Sequence, residues 1–362
     1  MLHYVRRRKA EVRKSLRKAT RAGGITLVLG AGVSIGRGLP SWSRLVRQLW
    51  EDLAPPRDLP DWLSHEHALP HPLAHQILLE EIEGATRWEI ASARGCKADD
   101  VDPSLVRDKM VQKISDKLYG TSPNESDNDT LGILIALLKQ EQKATDCRIT
   151  RVITFNADDL LERGANRDTD AGREPVLYPV ARASFHPRHG RCAFGRPAIN
   201  VYHLHGFIPR SQRYGRGAQD TLVFTDAEYW ESVANPASFA NRVMENALQD
   251  TTCVFVGMSM TDVNMMRWLG LRFTEFTDDR NALYAYRGKT PAYAFKKTRE
   301  AIGRHYWIAA AADDPTRFIA SHLERRGVQT VALPTWGTPF KALMDECFER
   351  DEDSHPVATI HG

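Results

Sequence analysis

"LVLGAGVSIGRGLPSW", residues 27–42, runs an apolar stretch straight into a glycine-rich turn and then into a helical pattern. Together with Ile25 and Thr26, "ITLVLG" (25–30) reads as a buried strand, and "SWSRLVRQLWEDLA" (41–54) as a helix closed by Pro55 and Pro56. In a strand–loop–helix unit, backbone N–H groups and the positive helix end attract phosphate, and glycines let the backbone come close. Gly30, Gly32 and Gly36 suit this, and Ser34 adds a hydroxyl. The spacing is G-x-G-x-x-x-G, with Ile35 where the dehydrogenase fingerprint has its third glycine. No second strand ends in an acidic residue about 20 positions later. The loop is therefore either a nucleotide cradle or a tight turn, and it does not point to hydride transfer.

Working outward, residues 4–21 form an amphipathic helical pattern with Val5, Val12, Leu16 and Ala19 on one face and Arg and Lys on the other. That basic face is either solvated surface or an arm for a polyanion or partner. Residues 57–145 carry helical segments, "HPLAHQILLEEIE" and "DTLGILIALLKQEQ", separated by polar loops, and read as a helical insertion that forms a lobe or packs on the sheet. Strand patterns then return at 148–155, 198–205, 220–224, 251–257, 282–286, 305–311 and 328–334, several followed by helical patterns. Strands alternating with helices predict an α/β fold: a Rossmann-like, mainly parallel sheet flanked by helices, with the insertion added. The expected organisation is a basic N-terminal helix (1–22), a catalytic domain (23–345) and a polar tail (346–362).

Composition narrows the function classes. Lys and Arg number 49 against 46 Asp and Glu, a net charge of only +3, so the chain as a whole is no polyanion binder. The five cysteines, at 96, 147, 192, 253 and 347, stand singly, which argues against a disulfide framework and against a structural zinc site. No apolar run approaches the ~18 residues of a membrane span. The Arg-rich N-terminus has no apolar core of a secretory signal, and a core strand follows almost at once, so a cytoplasmic location is expected.

Three further stretches carry chemistry. "RVITFNADDLLERGA" (151–165) is a strand that stops at Asn156 and opens a helix at Asp158 and Asp159. Ligands of open α/β sheets gather at the carboxyl ends of strands, so Asn156 and Asp158 are expected beside the glycine loop; Asp158 is also a natural helix cap. "VYHLHGFIP" (201–209) sets His203 and His205 two apart on one strand face, with Gly206 leaving room for a ligand. A metal would need further ligands that the sequence does not supply, so one catalytic histidine with a structural neighbour is the better reading. "CVFVGMSMTDVNMMRWL" (253–269) ends a strand at Gly257 and places Ser259, Asp262 and Asn264 at a helix start, suited to ribose hydroxyls or an adenine edge, or to turn and cap chemistry.

In this order "GAGVSIGRGLPSW", "ITFNADDLLE", "HLHG" and "VGMSMTDVN" resemble the sirtuin-like superfamily, across roughly residues 24–340 with the insertion matched loosely. The resemblance implies that Gly30, Ala31, Gly32 and Ser34 line an NAD phosphate loop. It also implies that Asn156 and Asp158 orient the nicotinamide ribose and a water, that His205 is the catalytic histidine, and that Gly257, Ser259 and Asn264 hold the adenosine half. The paired cysteines of the deacylase zinc module are missing, and Ser43 stands where the deacylases carry an arginine. What remains looks like the bacterial antiphage-defence branch, whose members hydrolyse NAD. That branch implies NAD as substrate, a homo-oligomer, and a gating partner encoded nearby, a HerA-type ATPase or a short Argonaute. An NAD or ADP-ribose sensor without turnover, a protein deacylase or ADP-ribosyltransferase, and an added nucleic-acid role through residues 6–21 stay open as alternatives.

Overall fold

The computed structural model describes residues 2–53, 71–120, 126–167, 175–180, 198–210, 222–223, 228, 234–294, 297, 305–310 and 314–350. Seven strands form one parallel sheet: β1 (Ile25–Leu29), β2 (Ile149–Thr154), β3 (Leu177–Val180), β4 (Ile199–His203), β5 (Thr252–Val256), β6 (His305–Ala310) and β7 (Val328–Leu333). Their order is β3-β4-β2-β1-β5-β6-β7, so β1 is central and the chain changes direction across the sheet between β1 and β5. In open parallel sheets that switch point opens a crevice at the carboxyl edge.

The expected α/β architecture is the one observed. β1 is buried along its whole length, as a strand covered on both faces must be. Its alternating side chains feed two cores. Ile25, Leu27 and Leu29 point into one, with Val152, Val254 and Val256 from the neighbouring strands. Val28 joins the other, with Ile153, Phe255 and Trp307.

Helices cover both faces. The first core takes in α1 (Leu2–Ala22) through Leu16, α3 (Trp42–Glu51) through Leu45, Val46 and Leu49, and three long helices from the insertion. These are α4 (His71–Arg94), α5 (Pro103–Tyr119) and α6 (Thr130–Lys143); the short α2 (Gly32–Ile35) lies within the glycine loop. The helical insertion thus shares its core with the sheet. The second core is closed by α8 (Phe239–Asp250), α9 (Val263–Tyr286) and α10 (Asp314–Glu324), while α7 (Leu160–Ala165) follows β2 and α11 (Thr338–Phe348) packs beside α1. The basic N-terminal helix is anchored there: Ser15 hydrogen bonds Tyr306 at 2.7 Å, and Thr20 Oγ1 donates to the Cys347 carbonyl at 2.6 Å.

Two local expectations fail for identifiable reasons. "ALYAY" (282–286), rich in strand-forming residues, is instead the last turn of α9. That helix starts at an Asp262 cap, whose carboxylate accepts from the Met265 amide at 2.8 Å, continues through Gly270 in its interior, and stops only before Gly288 at φ +66°. Local propensity yields to an uninterrupted helix. Conversely, β3 carries Pro179, which hides a strand from pattern reading and is tolerated because β3 lies at the sheet edge. The expected strand at 220–224 lies largely outside the described residues, as does the tail beyond residue 350.

Candidate functional site at the carboxyl edge of the sheet

Register places the four motifs side by side. Leu29 pairs with Thr154 on one side and Val256 on the other, and Thr154 pairs with His203. The chain therefore leaves the sheet at one level in four adjacent strands: at Gly30 after β1, Asn156 after β2, His205 after β4 and Gly257 after β5.

The glycines have a different task from the one their pattern suggests. Gly30 N donates to the Val256 carbonyl at 3.0 Å, and Gly32 N to the Gly257 carbonyl at 2.9 Å. A Cβ on Gly30 or Gly32 would sit 2.7 Å from the Gly257 oxygen. The β1 and β5 loops are thus pressed together backbone to backbone across the switch point. The amides of Gly30 and Gly32 are used in that seam and are not offered to a phosphate, whereas Ala31 between them is exposed. Gly36 ends α2 at φ −58° with open space around it, so it makes no close approach.

Ser34, nearly fully buried, is the hub of the site. Its hydroxyl donates to Asp158 Oδ2 at 2.9 Å and accepts from Asn156 Nδ2 at 3.0 Å. Asn156 Nδ2 also donates to the Gly30 carbonyl at 3.2 Å. A carbonyl only accepts, which fixes the orientation of the amide. Both hydrogens of Nδ2 are committed, so Asn156 can offer a ligand its Oδ1, an acceptor for a ribose hydroxyl or a water.

Asp158 caps α7 through the Leu160 amide at 3.1 Å as well as bonding Ser34. Burial pushes its carboxyl up to about 6, against the lowering effect of those two hydrogen bonds. Asp158 therefore ties the start of α7 to the glycine loop.

The two histidines separate cleanly. His203 is buried, with Nε2 2.7 Å from Glu162 Oε1 and Nδ1 2.9 Å from the Asn156 carbonyl. His205 is half-buried at the strand end, its ring edge-on to Phe155 at 5.1 Å. Burial holds the His205 pKa below its ordinary value, while the carboxylate of Asp262 pulls the other way. The charge acting on His205 is thus that of Asp262, at the start of α9. A neutral imidazole at neutral pH is a proton acceptor.

On the β5 side Gly257 adopts φ +67°, Ser259 hydrogen bonds Thr261 at 2.7 Å, and Asn264 is buried with no hydrogen-bond partner for its Oδ1 among the described residues. A buried orphan acceptor fits a ligand donor. Among the described residues no three His, Cys, Asp or Glu side chains gather as a metal site.

Sequence reading missed Glu162 and Tyr119. Tyr119, at the end of insertion helix α5, accepts from the Asp159 amide at 2.9 Å and donates to the Ile208 carbonyl at 2.7 Å. It joins the loops that follow β2 and β4. Arg37, just past α2, pairs with Asp129 at the start of α6 at 2.8 Å. The insertion therefore buttresses the site from beneath.

None of the curated proteins matches the chain. Residues 150–330 match the family model described as a SIR2-like domain, half of the chain. The matched span contains the Asn156, His205 and Gly257 loops, and the glycine loop outside it is bonded to two of them. No helix among the described residues is long and apolar enough to cross a membrane. With its parallel sheet, its switch-point crevice and this match, the chain belongs to the SIR2-like family, whose common ligand is NAD.

Proposed function

We propose that the protein hydrolyses NAD to nicotinamide and ADP-ribose. The observation that supports this reading is the commitment of both Asn156 amide hydrogens to Gly30 and Ser34, which leaves its acceptor oxygen for a ligand at the strand end next to that of His205. Breaking the nicotinamide–ribose bond releases neutral nicotinamide and leaves an oxocarbenium-like C1′. A fixed carbonyl dipole stabilises that charge without reorganising and accepts a hydrogen from the incoming water or a ribose hydroxyl. His205, whose pKa desolvation holds below its ordinary value, takes the proton that the water or hydroxyl must lose. Asn264 supplies an acceptor for the adenosine half. NAD is consumed as substrate, so the reaction needs no redox partner.

Unrestrained NAD hydrolysis depletes its host, which suits a gated effector of antiphage defence. In this reading the chain works as a homo-oligomer held in check by a protein encoded nearby, a HerA-type ATPase in preference to a short Argonaute.

The test is nicotinamide release from NAD by the purified protein, alone and with its neighbouring gene product. Asn156→Ala and His205→Ala are each expected to abolish release. Turnover that survives both substitutions overturns the assignment. Tight NAD binding with no release under either condition favours a sensor instead.

A further inference from the structure

Glu162 and His203 take no part in the chemistry above, yet they are 0 % and 1 % exposed and directly beneath it. The Asn156 carbonyl can only accept, so His203 Nδ1 carries a hydrogen and donates it. His203 Nε2 and Glu162 Oε1, 2.7 Å apart, then share one further proton, as imidazolium and carboxylate or as neutral imidazole and carboxylic acid. Burial opposes the charged ring, but the Glu162 charge and hydrogen bond outweigh it, and the His203 pKa is raised. The Phe207 ring packs on His203 with centroids 4.4 Å apart. The second oxygen, Glu162 Oε2, has no hydrogen-bond partner among the described residues, and Glu162 lines a small cavity with Ser34, Thr154, Asn156, Asp158 and His203.

Stability does not account for this arrangement. Desolvating an acid and a base, with one acid oxygen left orphaned, is expensive, and an apolar pair of the same volume is often equally or more stable. What the pair does hold is the backbone at Asn156, the residue whose side chain bridges the β1 loop and Ser34.

We propose that Glu162 and His203 are positioning residues that lock the main chain at 156 and so aim Asn156 Oδ1 at the ribose. The proposal rests on the reading of the site as one that works on NAD.

Glu162→Leu tests it. The variant is expected to lower kcat about 10²-fold, the usual penalty for a misplacement of about 1 Å, with KM little changed and the melting temperature lowered, because the buried His203 ring loses its partner. Glu162→Gln is expected to restore most of the rate. Its amide donates to a neutral His203 Nε2, and Nδ1–H stays on the Asn156 carbonyl. The Asn156 side-chain amide, followed by ¹⁵N NMR and assigned by its loss in Asn156→Ser, is expected to shift in E162L and return in E162Q. Should E162L not fold, the double variant H203L/E162L removes the buried charge and is read in the same way. A folded E162L with the wild-type kcat, or with an unmoved Asn156 amide resonance, overturns the proposal. Wild-type protein that releases no nicotinamide sinks the NAD reading instead, and the amide resonance then decides the positioning role alone.

Discussion

The hydroxyl of Ser34 donates to Asp158 Oδ2 at 2.9 Å, across 124 residues of sequence and between the loops of two different strands. The same oxygen accepts from Asn156. One small side chain therefore lowers the pKa of an acid against the larger effect of burial and helps hold an amide that the Gly30 carbonyl orients.

Ser34→Ala removes both bonds. Asp158 loses an interaction that lowers its pKa, and one Asn156 hydrogen is left unmatched in a buried setting. Stability is expected to fall by about 1–3 kcal/mol in chemical denaturation, and NAD turnover by roughly tenfold or more. A variant with wild-type turnover would show that Asn156 is held adequately by the Gly30 carbonyl alone.

Asp158 gives the fold a pH dependence of definite sign. Its carboxyl is raised from 3.8 to about 6 in the folded protein. Between those values the folded state keeps a proton that the unfolded chain has released, so stability from this group falls as pH rises and levels off above about 6. The loss is on the order of 3 kcal/mol. Asp158→Asn removes the charge and keeps an oxygen for the Leu160 amide, while its Nδ2 donates to Ser34 Oγ in place of the carboxylate oxygen that accepted from it. Its melting temperature is expected to exceed that of the wild type at pH 7.5, with the difference shrinking towards pH 4. A pH-independent difference would show that Asp158 is ionised without penalty.

What could be read from sequence was whatever is local. A strand ending in small or amide residues announces itself, so Asn156, His205, Gly257 and the glycine loop could be named. The direction of a parallel sheet then puts them on one edge. Their supports could not be read, because those are made over distance: Glu162 meets His203 across 41 residues, and Tyr119 meets the Ile208 carbonyl across 89. The role of the glycines was also hidden. A G-x-G pattern looks the same whether its amides face a phosphate or, as here, the backbone of the neighbouring loop. The misread strand at 282–286 shows the opposite weakness, since residue preference speaks for a strand where an unbroken helix simply continues.

Asp262 is expected to tune the base. Its charge raises the His205 pKa against the larger lowering effect of burial. Asp262→Asn removes that charge and keeps an oxygen to cap α9 at Met265. The acid limb of the kcat/KM–pH profile for nicotinamide release is expected to move to lower pH, with turnover above pH 7 little affected. A shift to higher pH would mean that another carboxylate controls the histidine.

Tyr119→Phe probes the insertion as a buttress. The change deletes one oxygen and strands two buried backbone groups, the Asp159 amide and the Ile208 carbonyl. The expected loss is about 1–3 kcal/mol of stability. Faster hydrogen exchange is expected in the loops after β2 and β4, and none in the β6–β7 half of the sheet. Uniform destabilisation without local opening would place the role of Tyr119 in the general core.

The seam between the β1 and β5 loops makes the sharpest contrast among glycines. At Gly257 a side chain would require φ +67° and would bring its Cβ to 2.7 Å from the Val33 amide nitrogen, a backbone atom that cannot rotate away. The conformational penalty alone is about 1–2 kcal/mol, and the clash adds to it by prising the loops apart. Gly32→Ala meets the Gly257 oxygen at the same distance from the other side. Gly36 has an ordinary helical φ and nothing nearby. Gly257→Ala and Gly32→Ala are therefore expected to weaken NAD binding and lower the melting temperature, while Gly36→Ala leaves both unchanged or slightly improved. Calorimetric titration with NAD and a thermal melt on all three proteins measure this. If the glycines served a phosphate directly, with no packing between loops, Gly32→Ala, which carries no positive-φ penalty, would cost affinity without cost to the melting temperature. The backbone contacts across the seam require the two losses to come together.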